Sequence, residues 1–254
     1  MNTTATTRAP MTPLRKAALI AGICYIGTFL FSIPVKFWLW HDVLNDPNFV
    51  LGSGSDSGVQ MGAMFEIITA LTGIGTAVAL YSVTRRYSSR AALGFVTSRV
   101  IEAAMIFTGV LAILSVFTLR NDVAGTAGAD NASLLTTGHA FVAVHDWTFL
   151  IGPGLMPVIN ACCLATVLYR SRLVPRIIPA IGLVGAPLLL MSDVVTLFGG
   201  WDQLSSIAGL CAMPIAAWEL SIGVWMTVKG FRTSEAVEDL TVTTSAPVMA
   251  GIAA

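Results

Sequence analysis

The sequence predicts an all-α, polytopic membrane protein with six transmembrane helices, and its composition is the first reason. Of the 254 residues, 55% are hydrophobic and only 11% are charged, whereas about a quarter of the residues are charged in ordinary soluble domains. The mean hydropathy is +0.78. So few charges cannot build the polar surface of a soluble enzyme or the solvated chain of a disordered regulator. Because 14 basic residues balance 14 acidic ones, we expect no nucleic-acid partner.

The second reason is the number of long apolar stretches. The hydrocarbon core of a bilayer is about 30 Å thick and needs about 20 residues of α-helix. Six stretches are long enough: Ala17–Trp40, Val59–Thr84, Ala91–Thr118, Phe141–Tyr169, Ile177–Gly199 and Leu204–Val228. The short segments between them are rich in Gly, Ser, Asp and Asn, which is typical of turns. We therefore expect one membrane domain at residues 15–232 between mobile cytoplasmic tails at residues 1–14 and 233–254.

Basic residues predict the orientation of these spans. They precede the first span, follow the sixth, and occur in threes between spans two and three and between spans four and five. The other connections hold one arginine and six aspartates. By the positive-inside rule, both termini should be cytoplasmic. The tryptophans expected to form an aromatic belt at the opposite boundary are Trp38, Trp40, Trp147 and Trp201.

Charged side chains inside the predicted spans are the strongest functional signal. Five spans carry a carboxylate: Glu66, Glu102, Asp146, Asp193 and Glu219. The third span also carries Arg99. A charge at the bilayer centre costs at least about 2.5–3.5 kcal/mol, so each needs a partner, a proton or a water-filled cavity. Because one arginine cannot neutralise five acids, we expect at least one acid to be neutral at pH 7.

The rise of an α-helix places these side chains at two depths. Arg99, Glu102 and Glu219 fall near the midplane, and Arg99 should pair with one of the two acids. A structural ion pair between Arg99 and Glu102 that only locks the bundle is the simpler interpretation of that contact. An outer group should line a pocket above this floor: Glu66, His145, Asp146 and Asp193.

The predicted roles follow from these depths. Asp146 is the first candidate for a catalytic proton donor, because adjacent His145 could relay protons from the outer water. Glu219 at the floor is the second catalytic candidate. The predicted substrate-binding residues are Glu66, Asp193, Asn160 and Trp218. Gly152-Pro153-Gly154 and Pro157 should interrupt the fourth span beside this polar region, because proline kinks a helix.

The sequence lacks the common motifs for cofactor binding, metal binding and disulfide formation. No nucleotide-binding or hydrolase motif is present, so we predict no cofactor. The three histidines have no spacing typical of a zinc site, so we predict no metal. All four cysteines lie in apolar stretches, where a thiol behaves as a small hydrophobe rather than as half of a disulfide.

Segments along nearly the whole folded part, residues 15–231, share motifs with one family. They are Arg15–Gly22, Ala92–Phe95, Arg99–Glu102, His145–Gly154, Ser171–Arg176, Gly182–Pro187, Trp218–Ser221 and Lys229–Phe231. In this order they resemble the bacterial integral membrane family called domain of unknown function DUF4386. The resemblance implies a six-span protein of the bacterial cytoplasmic (inner) membrane. It implies no activity, although its motifs include several of the charged residues selected above.

Three functions fit these observations. The first is an enzyme that uses acid–base chemistry on a hydrophobic isoprenoid or lipid, in a layout similar to membrane terpene cyclases, with Phe65, Trp218 and Trp225 stabilising a carbocation. The second is a proton-coupled transporter or permeation path, for which a homodimer would supply the symmetry that a single chain lacks. The third is a non-catalytic sensor or assembly module. In each case the lipid bilayer is the main partner, and a hydrophobic small molecule is the expected substrate of the first.

Overall fold

A computed structural model describes residues 11–52 and 56–232 of the chain. Six helices in this part are long and apolar enough to cross a membrane, as predicted. They are α1 (Pro13–Leu39), α2 (Asp56–Thr84), α3 (Ser89–Val123), α4 (Asn131–Ser171), α5 (Ile177–Leu197) and α6 (Ser206–Val228). The fold class is therefore confirmed as all-α and multi-pass. The predicted tails at residues 1–14 and 233–254 lie almost wholly outside the described residues.

Two helices extend further than hydropathy predicts. The third ends at Val123 rather than at Thr118, and the fourth begins at Asn131 rather than at Phe141. The Asp130 side chain accepts hydrogen bonds from the first backbone N–H groups of α4. An N-cap of this kind stabilises a polar helical turn that a hydropathy window cannot detect.

The six helices form a closed ring in chain order. Each helix packs against the next, and α6 packs against α1. Gly22 on α1 faces Gly223 on α6, which lets these two backbones approach closely. The Arg15 guanidinium donates hydrogen bonds of 2.7 Å to the carbonyls of Met226 and Thr227 at the end of α6. Both described chain ends therefore lie on one face of the ring, here called the terminal end.

The terminal half of the ring is filled by apolar side chains. Its largest fully buried members include Trp218, Tyr25, Phe95, Leu80, Leu164, Leu168, Ile222 and Met226. The Trp218 ring packs against Gly182 of α5, where an added Cβ would overlap the indole. These large buried side chains pack against one another and fill this part of the ring.

The opposite end, here called the cap end, carries a folded connection between α1 and α2. A short helix (His41–Asn45) and a 3-10 turn (Phe49–Leu51) pack on α3 and α4. Trp40 is 2% exposed, and its indole N–H donates to the Val59 carbonyl at 3.1 Å. Trp40 is therefore a core residue and not a member of the predicted belt, because the connection folds back over the helix ends.

Candidate functional site

A cavity of about 280 Å³ lies between the packed terminal half and the cap end, and all six helices contribute to its wall. Five charged side chains line it: Glu66, Arg99, Glu102, Asp193 and Glu219. Most of the remaining wall is small or apolar, as at Ala70, Gly73, Ala212 and Ala216. Four of the five predicted intramembrane acids therefore share one space.

The floor of the cavity consists of Arg99, Glu102 and Glu219. One guanidinium nitrogen of Arg99 lies 3.1 Å from both carboxylate oxygens of Glu102, and the other lies 2.5 Å from Glu219. Arg99 is only 2% exposed. Because arginine keeps its charge, it needs carboxylates beside it in this buried position. The sequence predicts that Arg99 pairs with Glu102 or Glu219, and in the structure it contacts both.

Asn160 forms hydrogen bonds to Glu102 of the floor and to Ser98. Its amide nitrogen donates to Glu102 at 2.8 Å, and its amide oxygen accepts a hydrogen bond from the Ser98 hydroxyl. Asn160 is fully buried and does not line the cavity. The structure therefore gives it the position of an orienting residue rather than that of the predicted substrate contact.

Asp193 enters the cavity from α5, against a π-helical segment of α4 (Leu150–Leu155). A Cβ added at Gly154 would lie 3.3 Å from one Asp193 carboxylate oxygen, so glycine permits this approach. The other oxygen, Oδ2, is buried and has no hydrogen-bond partner. The predicted Gly-Pro-Gly interruption is present, but α4 absorbs it as wider helical turns and continues beyond it.

Glu66 borders a second, smaller cavity of about 20 Å³, which Lys36, His145 and Phe149 also line. The Lys36 ammonium lies 4.0 Å from the centre of the Phe149 ring and interacts electrostatically with Glu66 and Asp146. Lys36 is not among the charged residues selected from the sequence, although a lysine inside a predicted span is itself a signal of function or pairing. Arg99 is therefore not the only cation available to the five acids.

His145 and Asp146 are in contact but differ greatly in burial. His145 Nδ1 lies 3.1 Å from Asp146 Oδ1, but the His145 side chain is 6% exposed and that of Asp146 is 54% exposed. Asp146 lines neither of the two cavities. Neighbouring residues of a helix point about 100° apart, so only His145 faces inward and the first-choice proton donor lies outside the cavity.

The three aromatic residues predicted to stabilise a carbocation, Phe65, Trp218 and Trp225, also lie outside the main cavity. Trp218 is buried in the terminal half, Phe65 packs edge-on against Phe31 with 5.2 Å between ring centres, and Trp225 lies under Arg232. None of the three predicted aromatic residues lines the main cavity, whose aromatic members are Phe29 and Phe149. The carbocation-stabilising arrangement inferred from the sequence is therefore not present.

The four cysteines are free thiols. Within residues 11–52 and 56–232, no group of three or more His, Cys, Asp or Glu side chains is arranged to hold a metal ion. The charged groups that line the main cavity, four carboxyl groups and one guanidinium, can take part in proton transfer and electrostatic binding.

Comparison with known families gives one match. The family described as "Domain of unknown function (DUF4386)" matches residues 20–230. The chain belongs to this family. The resemblance seen in the sequence motifs is thereby confirmed, and the protein is a multi-pass helical membrane member of the DUF4386 family. No curated protein and no solved structure matches the chain. Because the family description names no activity, a functional proposal has to come from the cavity.

Proposed function

We propose that the protein binds a small hydrophobic molecule in the main cavity and exchanges a proton with it through Asp193, acting as an acid–base enzyme within the membrane. The observation that supports this most strongly is the buried Asp193 oxygen without a hydrogen-bond partner. Glu102 and Glu219 are held by Arg99, and Glu66 interacts with Lys36. Among the residues that the structure describes, Asp193 is the cavity acid with no interacting cation.

A carboxylate without a protein partner in a mostly apolar wall needs a proton, water or a donor from a ligand. Asp193 can exchange a proton with a bound ligand, since the carboxyl can give its proton and the carboxylate can accept one. Asp146, which the sequence favoured, lacks access to the cavity. The proposed acid–base residue is therefore Asp193, and the floor supplies a fixed electrostatic environment beside it.

The size of the cavity bounds the substrate. Typical ligand pockets measure about 300–1,000 Å³, and this cavity of about 280 Å³ is near the lower limit. A short isoprenoid or a lipid-derived fragment is compatible with that volume, whereas a whole phospholipid would have to protrude between helices. Because Phe65 and Trp225 are outside the cavity, the proposal concerns proton transfer at a polar head group and not carbocation chemistry.

Proton-coupled transport is the second candidate, and the shape of the cavity favours it. The wall reaches Gln203, in the connection between α5 and α6 at the cap end, while the floor and the packed terminal half close the other side. A binding site closed on one side is what one state of alternating access requires. Proton flux in vesicles containing the protein, started by adding substrate, would distinguish this function from turnover.

The experiment that tests the enzyme proposal starts from what co-purifies with the protein. Small molecules extracted from the wild type, Asp193→Asn and Asp146→Asn are identified by mass spectrometry. We expect one hydrophobic molecule in the wild type and in Asp146→Asn, and at least tenfold less of it in Asp193→Asn.

Turnover of that molecule in membranes should fall at least about 100-fold in Asp193→Asn, which is the usual contribution of a general acid or base. Asp146→Asn is the matched control because it removes a carboxylate outside the cavity. Equal retention and equal turnover in all three proteins would contradict the proposal and favour a non-catalytic module.

A further inference from the structure

We propose that the cavity selects a hydrophobic amine, bound as its ammonium form by Asp193 and Thr69. This inference rests on the proposed function for the place of the ligand and adds the chemical class of its head group. It depends on the charges in the wall and on two buried oxygens that have no partner.

The charges in the wall leave a need for one cation near Asp193. Arg99 is shared between two carboxylates, so the floor is not a source of spare positive charge. Lys36 lies beside Glu66 and over Phe149, away from α5. Within residues 11–52 and 56–232, no salt bridge reaches Asp193. A cationic head group would supply the charge that this side of the cavity lacks.

Thr69 is the second, independent observation. It is 7% exposed and lines the cavity, and its hydroxyl has no hydrogen-bond partner. The other threonines described on α2, Thr72, Thr76 and Thr84, donate to carbonyls of their own helix, as threonine in a helix usually does. The Thr69 hydroxyl is thus a buried donor without a partner, on a helix that satisfies its other threonines.

Asp193 and Thr69 both present oxygens, and an ammonium brings three N–H donors together with a positive charge. An alcohol brings one donor and no charge. An anionic head group would be repelled by the four carboxylates of the wall. The protein already accommodates one ammonium in a partly similar setting, since Lys36 lies 4.0 Å over the Phe149 ring and lines the smaller cavity with Glu66.

The experiment compares two compact probes of nearly equal shape, 1-adamantylamine and 1-adamantanol. Binding to the full-length protein in lipid nanodiscs is measured by calorimetry for the wild type and three variants: Asp193→Asn, Thr69→Val and Thr76→Val. We expect the amine to bind the wild type at least tenfold more tightly than the alcohol. Asp193→Asn should weaken amine binding at least tenfold, and Thr69→Val at least threefold.

Thr76→Val is the matched control, because Thr76 is buried on the same helix, donates to the Gly73 carbonyl and does not line the cavity. It should bind the amine as the wild type does. Equal binding of amine and alcohol overturns the head-group assignment, while the proton-exchange proposal keeps its own test with the co-purified molecule. Absence of amine binding also overturns it. If Asp193→Asn does not fold, wild-type amine affinity in Thr69→Val is sufficient to overturn it.

Discussion

The two halves of the ring differ sharply although the same six helices build both. In the terminal half, the fully buried side chains of Leu80, Leu164 and Trp218 belong to one packed apolar cluster. In the half toward the cap end, the corresponding positions hold small residues such as Gly73 and Ala212, and a cavity of about 280 Å³ remains. The difference shows that side-chain volume on a shared scaffold decides where a membrane bundle is solid and where it can bind a ligand.

The ion-paired floor marks the boundary between the halves, and breaking it should have the largest effect. Arg99→Met leaves two buried carboxylates without their cation, so we expect destabilisation by about 3–5 kcal/mol. Thermal unfolding in detergent, followed by circular dichroism, measures the change. The control combines Arg99→Met with Glu102→Gln and Glu219→Gln, which removes all three charges and should recover much of the loss. If Arg99→Met alone unfolds at the same temperature as the wild type, the ion-paired floor does not stabilise the bundle as proposed.

The packed half should reject even one added methyl group. A Cβ at Gly22 would lie 2.7 Å from the Gly223 carbonyl oxygen and 2.6 Å from the Thr227 backbone nitrogen, where the ring closes between α1 and α6. Since these are backbone atoms, we expect Gly22→Ala to destabilise by about 1–3 kcal/mol through overpacking. Its thermal unfolding should be compared with that of Gly73→Ala. Equal unfolding temperatures would contradict the contrast between the halves.

A glycine that borders the open cavity should accept an addition that Gly22 does not. An added Cβ at Gly73 meets no atom within 4 Å. Gly73→Ala should therefore be neutral or stabilise by about 0.5–1 kcal/mol, because alanine favours a helix over glycine. Gly73→Leu should also fold, and it should weaken binding of 1-adamantylamine at least tenfold by filling the cavity. Undiminished binding in the leucine variant would place the ligand elsewhere.

Single cysteine substitutions in the connections should have the smallest effect on stability. They test which end of the ring faces which side of the membrane. Cysteines are introduced at position 54, which falls between α1 and α2 in the chain and outside the described residues, and at position 88, between α2 and α3. With the native cysteines replaced, a membrane-impermeant thiol reagent should label position 54 in intact cells and spare position 88. Labelling of position 88 from outside would reverse the predicted orientation, with both termini then outside.

Much of the site could be predicted because buried charge is expensive. Arg99 must find an acid wherever the helices place it, and Glu102 lies one turn away on the same face. The same reasoning placed Glu66, Glu219 and Asp193 together. It did not select Lys36, which lies near the end of its span and lines the smaller cavity with Glu66.

The errors concern rotation about a helix axis. Sequence position gives depth through the rise per residue, but the direction of a side chain depends on how each helix is turned against its neighbours. Asp146 has the depth of the outer group and points away from the cavity, whereas adjacent His145 points inward. Trp218 is adjacent to Glu219, yet it packs on Gly182 in the solid half.

The sequence by itself determined the number of membrane helices, their order, the family and the need to compensate charges within the bilayer. These properties follow from hydropathy, composition, motif order and the cost of burying charge, all of which are local. Only the tertiary structure decided that the helices close into a ring, that one half is solid and the other hollow, and that Asp193 rather than Asp146 reaches the cavity. Those properties depend on contacts between residues distant in the chain, such as Gly22 with Gly223 and Arg99 with Glu219, which no local pattern specifies.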